Sequence, residues 1–476
     1  MDIFFVILAF AIAIFFIARP VSFRLPRSLP LLGGREMTFD YAFGSVLGVL
    51  IILLAGVLTP GQAFSSLVGR PGFSPFTIIV LFMAVAYIAI SLDSTGFFEY
   101  LALRIVLRSG GDGRKLFLYF YFLSGFITLF TSNDIVILTL TPIIFYFGKH
   151  AKIRVLPYLV AEFFAANIWS MFLYVGNPTN IIAASATGIG LIEYSVWMVL
   201  PTVAAGLTCL WLLYLVFKNN VNMRFVIPKD IDPKHFLKDR RCAYVTFATF
   251  CATLATLFVS PFLGLEMWVV ALFFALVLFT YDAAIAFDEY SKEHLTYFRV
   301  FKHYVHRQAT KIYEFRLHFI ADHIPWKIVP FLFCSFIMVE ALVVAGVTDA
   351  AAILITSLSS NIFAATISMG FLSAFAANLV NNQPMTVLFT KITESSQFAL
   401  PASTKLASIF SLIIGSNLGA NITLIGALAG IMWIKILRGK DQHINYRGFA
   451  KLGLIITPLV LLVACVTLAI EFFFFG

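Results

Sequence analysis

Charge is what this 476-residue sequence has least of: Asp, Glu, Lys and Arg make up 12% of it, about half the usual share of a soluble domain. Hydrophobic residues make up 61%, and the mean hydropathy is +0.94, so polar side chains are too few to cover a water-facing globule. Cysteine is scarce too. Cys209, Cys242, Cys251, Cys334 and Cys465 are scattered, mostly through apolar stretches, which excludes a disulfide framework and a thiolate metal site. A nucleotide-binding motif is missing, and so is a nucleophile–base pair in the apolar runs, because the histidines lie in loops. The sequence therefore predicts no enzyme, no catalytic residue, no metal and no cofactor. The net charge of +9 would point to nucleic acid in a soluble protein, but here the basic residues fall in short loops between apolar runs. The partner they imply is the lipid bilayer. The stretch 1–18 has neither a charged leading region nor a small-residue cleavage site, so it reads as a retained span, not a signal peptide.

What is present is a series of apolar runs: 1–18, 41–58, 73–92, 196–217, 242–260, 264–281, 329–346 and 452–475. The third continues into Asp93–Tyr100 as a helix leaving the membrane. Between these runs lie interrupted ones. Residues 116–130 and 135–148 are half-length runs around Thr131-Ser132-Asn133-Asp134, which reads as a re-entrant hairpin. Residues 157–190 form a helix broken at Gly176-Asn177-Pro178-Thr179-Asn180. The pair recurs as a hairpin at 360–397 with its tip at Asn381-Asn382-Gln383-Pro384, and a broken helix at 402–436 around Gly415–Asn421. Polar backbone at membrane depth is tolerated only under protein or beside a wet cavity. Matching interruptions in two halves are the best sequence pointer to the binding site of a secondary transporter.

The repeat is legible as a shift. Leu123-Ser124-x-Phe126 falls on Leu372-Ser373-x-Phe375 at 249 residues, and Gly96 falls on Gly346 at 250. The second breaks call for a smaller shift. Of the 33 Lys and Arg residues, 30 fall in alternate loops, which places those loops in the cytoplasm and leaves Arg70, Lys391 and Lys405 outside. That split requires the two hairpins to enter from opposite sides. The expected fold is an all-α polytopic membrane protein of two inverted-topology repeats, each with a re-entrant hairpin and a broken transmembrane helix, with about ten full spans plus the two hairpins. The expected division is a first half over 1–217, a cytoplasmic loop, two spans and an amphipathic connector over 218–328, and a second, inverted half over 329–476.

Asp134 is the sharpest candidate for chemistry. A carboxylate near the bilayer centre is costly and normally faces a partner or a wet cavity, which suits it to carry a proton or a sodium ion. The alternative is that it caps the helix after the tip. Its repeat mate is Gln383, so the two tips are chemically unequal. With Thr131, Ser132 and Asn133 on one side and Asn381 and Asn382 on the other, two helix N-termini would face one centre, an arrangement suited to anions or polar neutral solutes. Gly176, Asn177, Thr179, Asn180, Asn417, Asn421 and Thr423 would line the breaks, with freed carbonyls able to coordinate sodium. Glu162 and Glu340 are further acids at membrane depth, open to a proton-relay or a purely structural role. Asp93 and Glu99 read as interfacial. The connector 282–328 holds five of the eight histidines; His303 and His306 share a helix face, which permits a metal site, but an apolar stripe (Phe298, Phe301, Val305, Ile312, Phe315 and Phe319) favours reading this part as an interfacial helix.

At Ser91-Leu92-Asp93-Ser94-Thr95-Gly96-Phe97-Phe98-Glu99, Ser132-Asn133-Asp134, Leu140-Thr141-Pro142, Gly370–Phe375, Asn381–Pro384 and Gly415–Gly419, the chain resembles the arsenite-efflux permeases. These lie within the ion-transporter superfamily that includes citrate, dicarboxylate and sodium/proton carriers. The resemblance covers most of the chain. It implies a scaffold with a mobile transport part, alternating access around a central site, homodimers, and an ATPase partner that energises export. It also implies arsenite or antimonite efflux in exchange for protons, across the inner or plasma membrane. Where the permeases usually carry an acid after the Gly-x of the second break, this chain has Asn417. The break Gly176–Asn180 is nearer to the carboxylate and sodium-coupled relatives. Sodium- or proton-coupled anion transport, or sodium/proton exchange, is accordingly the alternative. A passive channel fits an inverted repeat poorly.

Overall fold

The structure, a computed structural model, describes residues 2–24, 36–70, 73–227, 233, 236–297, 317–440 and 444–476. Its first helices are α1 (Asp2–Ala18), α2 (Tyr41–Leu54) and α3 (Pro60–Val68). A short antiparallel ladder of β1 (Val21–Arg24) and β2 (Glu36–Phe39) joins the first two. Asp40 starts α2 by accepting from the Ala42 amide, and Thr59 and Gln62 form a reciprocal capping box on α3. Then comes a seven-helix unit: α4 (Pro75–Ser94), α5 (Phe97–Arg108), α6 (Gly113–Phe130), α7 (Asn133–His150), α8 (Leu156–Trp169), α9 (Pro178–Thr187) and α10 (Leu191–Val221). Two linking helices, α11 (Arg240–Val259) and α12 (Met267–Tyr297), follow. The unit then recurs as α13 (Ile328–Val344), α14 (Val347–Leu358), α15 (Ile362–Val380), α16 (Asn382–Glu394), α17 (Ala402–Gly419), α18 (Leu428–Arg438) and α19 (Tyr446–Phe475).

The correspondence is close enough to carry numbers. Gly96 and Gly346 both precede the second helix of their unit in the left-handed conformation, at φ 80° and 73°. A side chain at Gly96 would also meet the Phe236 carbonyl at 1.9 Å, so this joint tolerates glycine alone. The helix before each break ends at Trp169 and Gly419, and the helix after it begins at Pro178 and Leu428, a shift of 250 in both cases. The smaller shift expected from the Asn-rich stretches is thereby corrected. The two breaks align at 250, as the Gly96 and Gly346 joints do, and the asparagines sit at different points around them.

Contacts between the ends of the helices fix the sense of each unit. Arg70, just ahead of α4, donates to the Ala186 carbonyl at the end of α9 (2.9 Å) and pairs with Glu394 at the end of α16 (2.8 Å). At the other face the Gly113 amide at the start of α6 bonds the Met223 carbonyl just past α10, and Phe147 near the end of α7 packs on Phe225. The α6/α7 hairpin thus opens on one face and α16 ends on the opposite one. The halves run in opposite directions.

Small residues let these helices approach closely, as membrane interfaces require. A Cβ on Gly415 of α17 would lie 2.0 Å from the Ser373 hydroxyl and 2.3 Å from the Gly370 carbonyl of α15. Among the described residues, seven helical segments are long and apolar enough to span a membrane, while Asp2–Ala18, Tyr41–Leu54 and Val347–Leu358 are apolar but shorter. The count departs from ten because four of the anticipated spans drop out: 1–18 and 41–58 are helical over only 17 and 14 residues, and neither broken helix (157–190, 402–436) provides a spanning helix. The arm α15, at 19 residues, is long enough to count as a span in its own right.

Two other readings are corrected. The span 73–92 does not run on through Tyr100, because α4 stops at Ser94 and the Gly96 joint starts a new helix. The span at 264–281 continues as helix α12 to Tyr297, so the connector begins within a helix. There Asp282 is buried and accepts from Tyr87 and Ser91 of α4. His303, His306 and all of the apolar stripe but Phe319 lie outside the described residues, and Phe319 stacks on His323 at 3.8 Å.

Candidate substrate and ion site

Each hairpin tip is closed by its own side chains. At the first, Thr131 turns back to the Ile127 carbonyl of α6, and Ser132 caps α7 by accepting from the Ile135 amide. Asn133 Oδ1 accepts from the Asp134 amide. The capping groups are therefore Ser132 and Asn133. Asp134 accepts no bond in the cap and is 5% exposed, and its carboxylate forms no hydrogen bond among the described residues. The Tyr41 phenol stands within electrostatic range of its carboxylate.

At the second tip, Asn381 accepts from the Gln383 amide and donates to the Ile425 carbonyl. Its backbone sits at φ 74° and ψ 150°, a region that costs a non-glycine residue about 1–3 kcal/mol and clusters at ligand clamps. The Asn382 amide bonds the Gly426 carbonyl (2.9 Å), and its side chain reaches the Ser416 carbonyl (3.5 Å). The Gln383 Oε1 is buried and unpartnered among the described residues.

The breaks meet between the tips. Asn417 sits at the hub: its Oδ1 accepts from Asn177 and from Ser170, each at 2.8 Å. Its Nδ2 donates to Asn180 Oδ1 (2.8 Å) and to the Ile413 carbonyl. Asn180 in turn holds the carbonyl of Ser170, the C-cap of α8, and the carbonyl of Leu173, which also accepts from the Gly176 amide. Gly176 packs so closely on the Ser170 carbonyl that a Cβ would fall 2.3 Å away. Asn177 caps α9 through the Thr179 amide, leaving the Thr179 hydroxyl buried and unpartnered among the described residues.

A second chain of amides crosses from one half to the other. Asn133 donates to Asn167 (2.8 Å), and Asn167 donates to Asn421 (3.0 Å). Thr423 is turned away from this chain and bonds Asn378 Oδ1 (2.6 Å). Of the expected residues, Asn133, Asn177, Asn180, Asn417 and Asn421 are joined in these two networks. Thr131 is spent on its own helix, and Thr423 on a hairpin arm.

Asn167, Ser170 and Asn378 escaped the sequence reading. Asn167 is the repeat mate of Asn417 at a shift of 250, and carrying that shift through the break would have found it. Asp93, read as interfacial, is partly buried and accepts from Thr139 of α7 at 3.0 Å. Glu340 is partly exposed on α13.

Among the described residues the buried charged side chains are all acids: Asp134, Glu162, Asp282 and Glu471. None of the described Lys and Arg side chains is buried. The centre is built from amides, hydroxyls and helix N-termini, with one unpaired carboxylate at its edge.

The sequence matches the citrate transporter family, CitMHS, over residues 31–411. The chain belongs to this family. It is a multi-pass membrane transporter. Among curated relatives of this citrate transporter family member, the arsenical pump membrane protein of Escherichia coli K12 is 28% identical over 91% of this chain and 94% of its own length. A putative arsenical pump membrane protein of Bacillus subtilis is 26% identical over 90% of this chain and 94% of its own. The crystal structure of the YdaH transporter from Alcanivorax borkumensis, described as having an unusual topology, covers 99% of this chain and 98% of its own with a TM-score of 0.54. At 15% identity that likeness is one of fold.

Proposed function

We propose that this transporter exports arsenite or antimonite across the bacterial inner membrane in exchange for protons, with Asp134 carrying the proton. The observation that supports it best is the Asp134 carboxylate: buried at a hairpin tip, released from capping by Ser132 and Asn133, and free of any hydrogen bond among the described residues. A carboxylate in that position is retained at a cost and marks an ion or proton path. The absence of a buried Lys or Arg among the described residues favours a substrate without charge. Arsenite is neutral at physiological pH, and amide and hydroxyl groups can hydrogen-bond its hydroxyls. The two arsenical pump relatives agree with this substrate.

A second reading is proton- or sodium-coupled carboxylate transport. The family description favours it, and so do helix N-termini at Asn133, Pro178 and Asn382, whose dipoles attract anions. Citrate would bring three negative charges to a centre whose described residues offer no buried cation, which ranks this reading second. A homodimer and an ATPase partner belong to the same proposal.

The test is arsenite accumulation by everted vesicles under an imposed proton gradient, with Asp134→Asn alongside. Uptake that follows the gradient and is lost in the variant supports the reading. Uptake no greater than in empty vesicles, with folded protein present, refutes the arsenite assignment. Citrate uptake driven by sodium would then install the second reading.

A further inference from the structure

Glu162 is entirely buried in α8. Its Oε1 accepts from the Thr141 hydroxyl of α7 (2.8 Å), while Oε2 is buried with no partner among the described residues. An acid half-satisfied in this way costs several kcal/mol by general measures of buried polar groups, so its retention calls for an explanation.

The fold does not require it. The second half builds the same seam from α16 and α17, where the mates of Thr141 and Glu162 are Thr390 and Leu412. There the Thr390 hydroxyl has no hydrogen-bond partner among the described residues, and Leu412 is fully buried. A leucine satisfies the packing at this position.

The placement relative to Asp134 is specific. Asp134 and Thr141 are seven residues apart on α7, so they share a helix face about 10 Å apart along the axis. From Thr141 the seam runs on to the cytoplasmic ends of α7 and α8. Leu156, the first residue of α8, is six residues from Glu162, or about 9 Å. Pro142, inside α7, removes a backbone donor one residue from where Glu162 docks, which weakens the helix there.

Rings of Trp433 on α18 and Phe449 on α19 pack on Phe163 of α8, and these helices bring Lys435, Arg438, Tyr446, Arg447 and Lys451. The helix α7 brings Asp134 at its start and Tyr146, Lys149 and His150 towards its end. The helix α6 brings Tyr121, which donates to the Gly206 carbonyl, and α10 brings Cys209 and Tyr194. Lys405 stands in the first turn of α17, and Tyr158 lies on α8 itself. None of these is bonded to Glu162.

We infer that Glu162 is a second proton-carrying residue, in series with Asp134, on a path along the α7/α8 seam to the cytoplasm. The inference rests on the proton-coupled reading above. In each cycle the proton leaves the Asp134 carboxyl, crosses water that enters the intervening gap, and bonds to the Glu162 carboxylate. The resulting acid then releases it to cytoplasmic water, and Asp134 is left as the carboxylate, ready for the next proton.

The experiment compares unsubstituted protein, Glu162→Gln and Glu162→Asp in everted vesicles. Glutamine keeps the volume and the acceptor for Thr141 but cannot exchange a proton. Two readouts are needed: arsenite uptake driven by a pH gradient, across external pH, and arsenite counterflow with no gradient. The expected result is at least about a tenfold loss of gradient-driven uptake in Glu162→Gln, with counterflow retained. Glu162→Asp should recover driven uptake with a displaced pH profile.

Glu162→Gln uptake equal to that of the unsubstituted protein at every pH overturns the inference while leaving the Asp134 reading intact. Equal loss of driven uptake and counterflow, unrescued by aspartate, makes Glu162 structural and also overturns it. If the unsubstituted protein moves no arsenite, the functional proposal has failed. The same comparison is then made with citrate as the probe, reading gradient-driven uptake against counterflow.

Discussion

Replacing Asn417 with alanine should loosen the join between the two halves by an amount that can be worked out in advance. The substitution deletes four hydrogen bonds: those from Asn177 and Ser170, and those to Asn180 and the Ile413 carbonyl. Ser170 keeps its bond to the Asn167 carbonyl, and Asn180 Nδ2 keeps its two carbonyls. The groups orphaned outright are Asn177 Nδ2 and Asn180 Oδ1. At about 1–3 kcal/mol for each buried unsatisfied group, the loss is about 2–6 kcal/mol. Interhelical hydrogen bonds in membranes average nearer 0.6 kcal/mol, so the three that leave α17 give about 1.8. The two routes meet at about 2 kcal/mol. Denaturant unfolding of the purified protein in detergent or bicelles, followed by loss of helical signal, measures it. A destabilisation below about 0.5 kcal/mol would mean that the amide hub is replaceable by water, and the reasoning for the whole centre would fall with it.

Three further expectations are independent of that one. Gly415→Val should destabilise by about 2–4 kcal/mol, because its Cβ alone would overlap the Gly370 carbonyl and force α15 and α17 apart; wild-type stability in the same unfolding assay would refute the packing. Arg70→Gln should cost less than about 1 kcal/mol, since the arginine side chain is 54% exposed and its pair with Glu394 is screened; a loss that persists in high salt would show a stronger tie. Asn167→Leu, which cuts the amide chain between Asn133 and Asn421 without adding a charge, should lower driven transport more than counterflow; equal retention of both would show that the chain carries no coupling.

The sequence displayed the hairpin tips and the breaks because each places several polar residues inside an apolar run, a local signal that needs no partner to be seen. It did not display which of them meet. Asn177, Asn180 and Asn417 are bonded across 237–240 residues, and Asn167 and Asn421 across 254. Nothing in a window of neighbouring residues records such distances. Asn167 was overlooked for a related reason: it is a lone amide in an otherwise apolar helix, where a polar side chain bonded to a neighbouring helix is unremarkable. The role of Asp134 in the cap was open on sequence alone, because Ser132, Asn133 and Asp134 are all competent N-caps. Only the bonds made by Ser132 and Asn133 separate them. The reading of the α4/α5 joint failed because a glycine that begins a new helix and one that merely ends a span look alike until a carbonyl is found against its α-carbon.

The two halves share a backbone plan and divide the chemistry between them. Positions 134, 141 and 162 of the first hold Asp, Thr and Glu, while their mates in the second, 383, 390 and 412, hold Gln, Thr and Leu. The acids therefore lie along one seam, α7 against α8, and the corresponding seam of α16 and α17 keeps the shape without the charge. Had the acids served only to hold the hairpin in place, both seams would need them, since both bury a hairpin arm against a broken helix, at shifts of 249 for the arm and 250 for the helix. Their confinement to one half fits a transporter in which one side of the pseudosymmetric centre handles the ion and the other offers neutral contacts to the solute. It also says where selectivity and coupling should separate under mutation. Substitutions at Gln383 and Thr179, whose side chains hold unpaired buried atoms, should alter which solute is carried. Substitutions at Asp134 and Glu162 should alter what drives it.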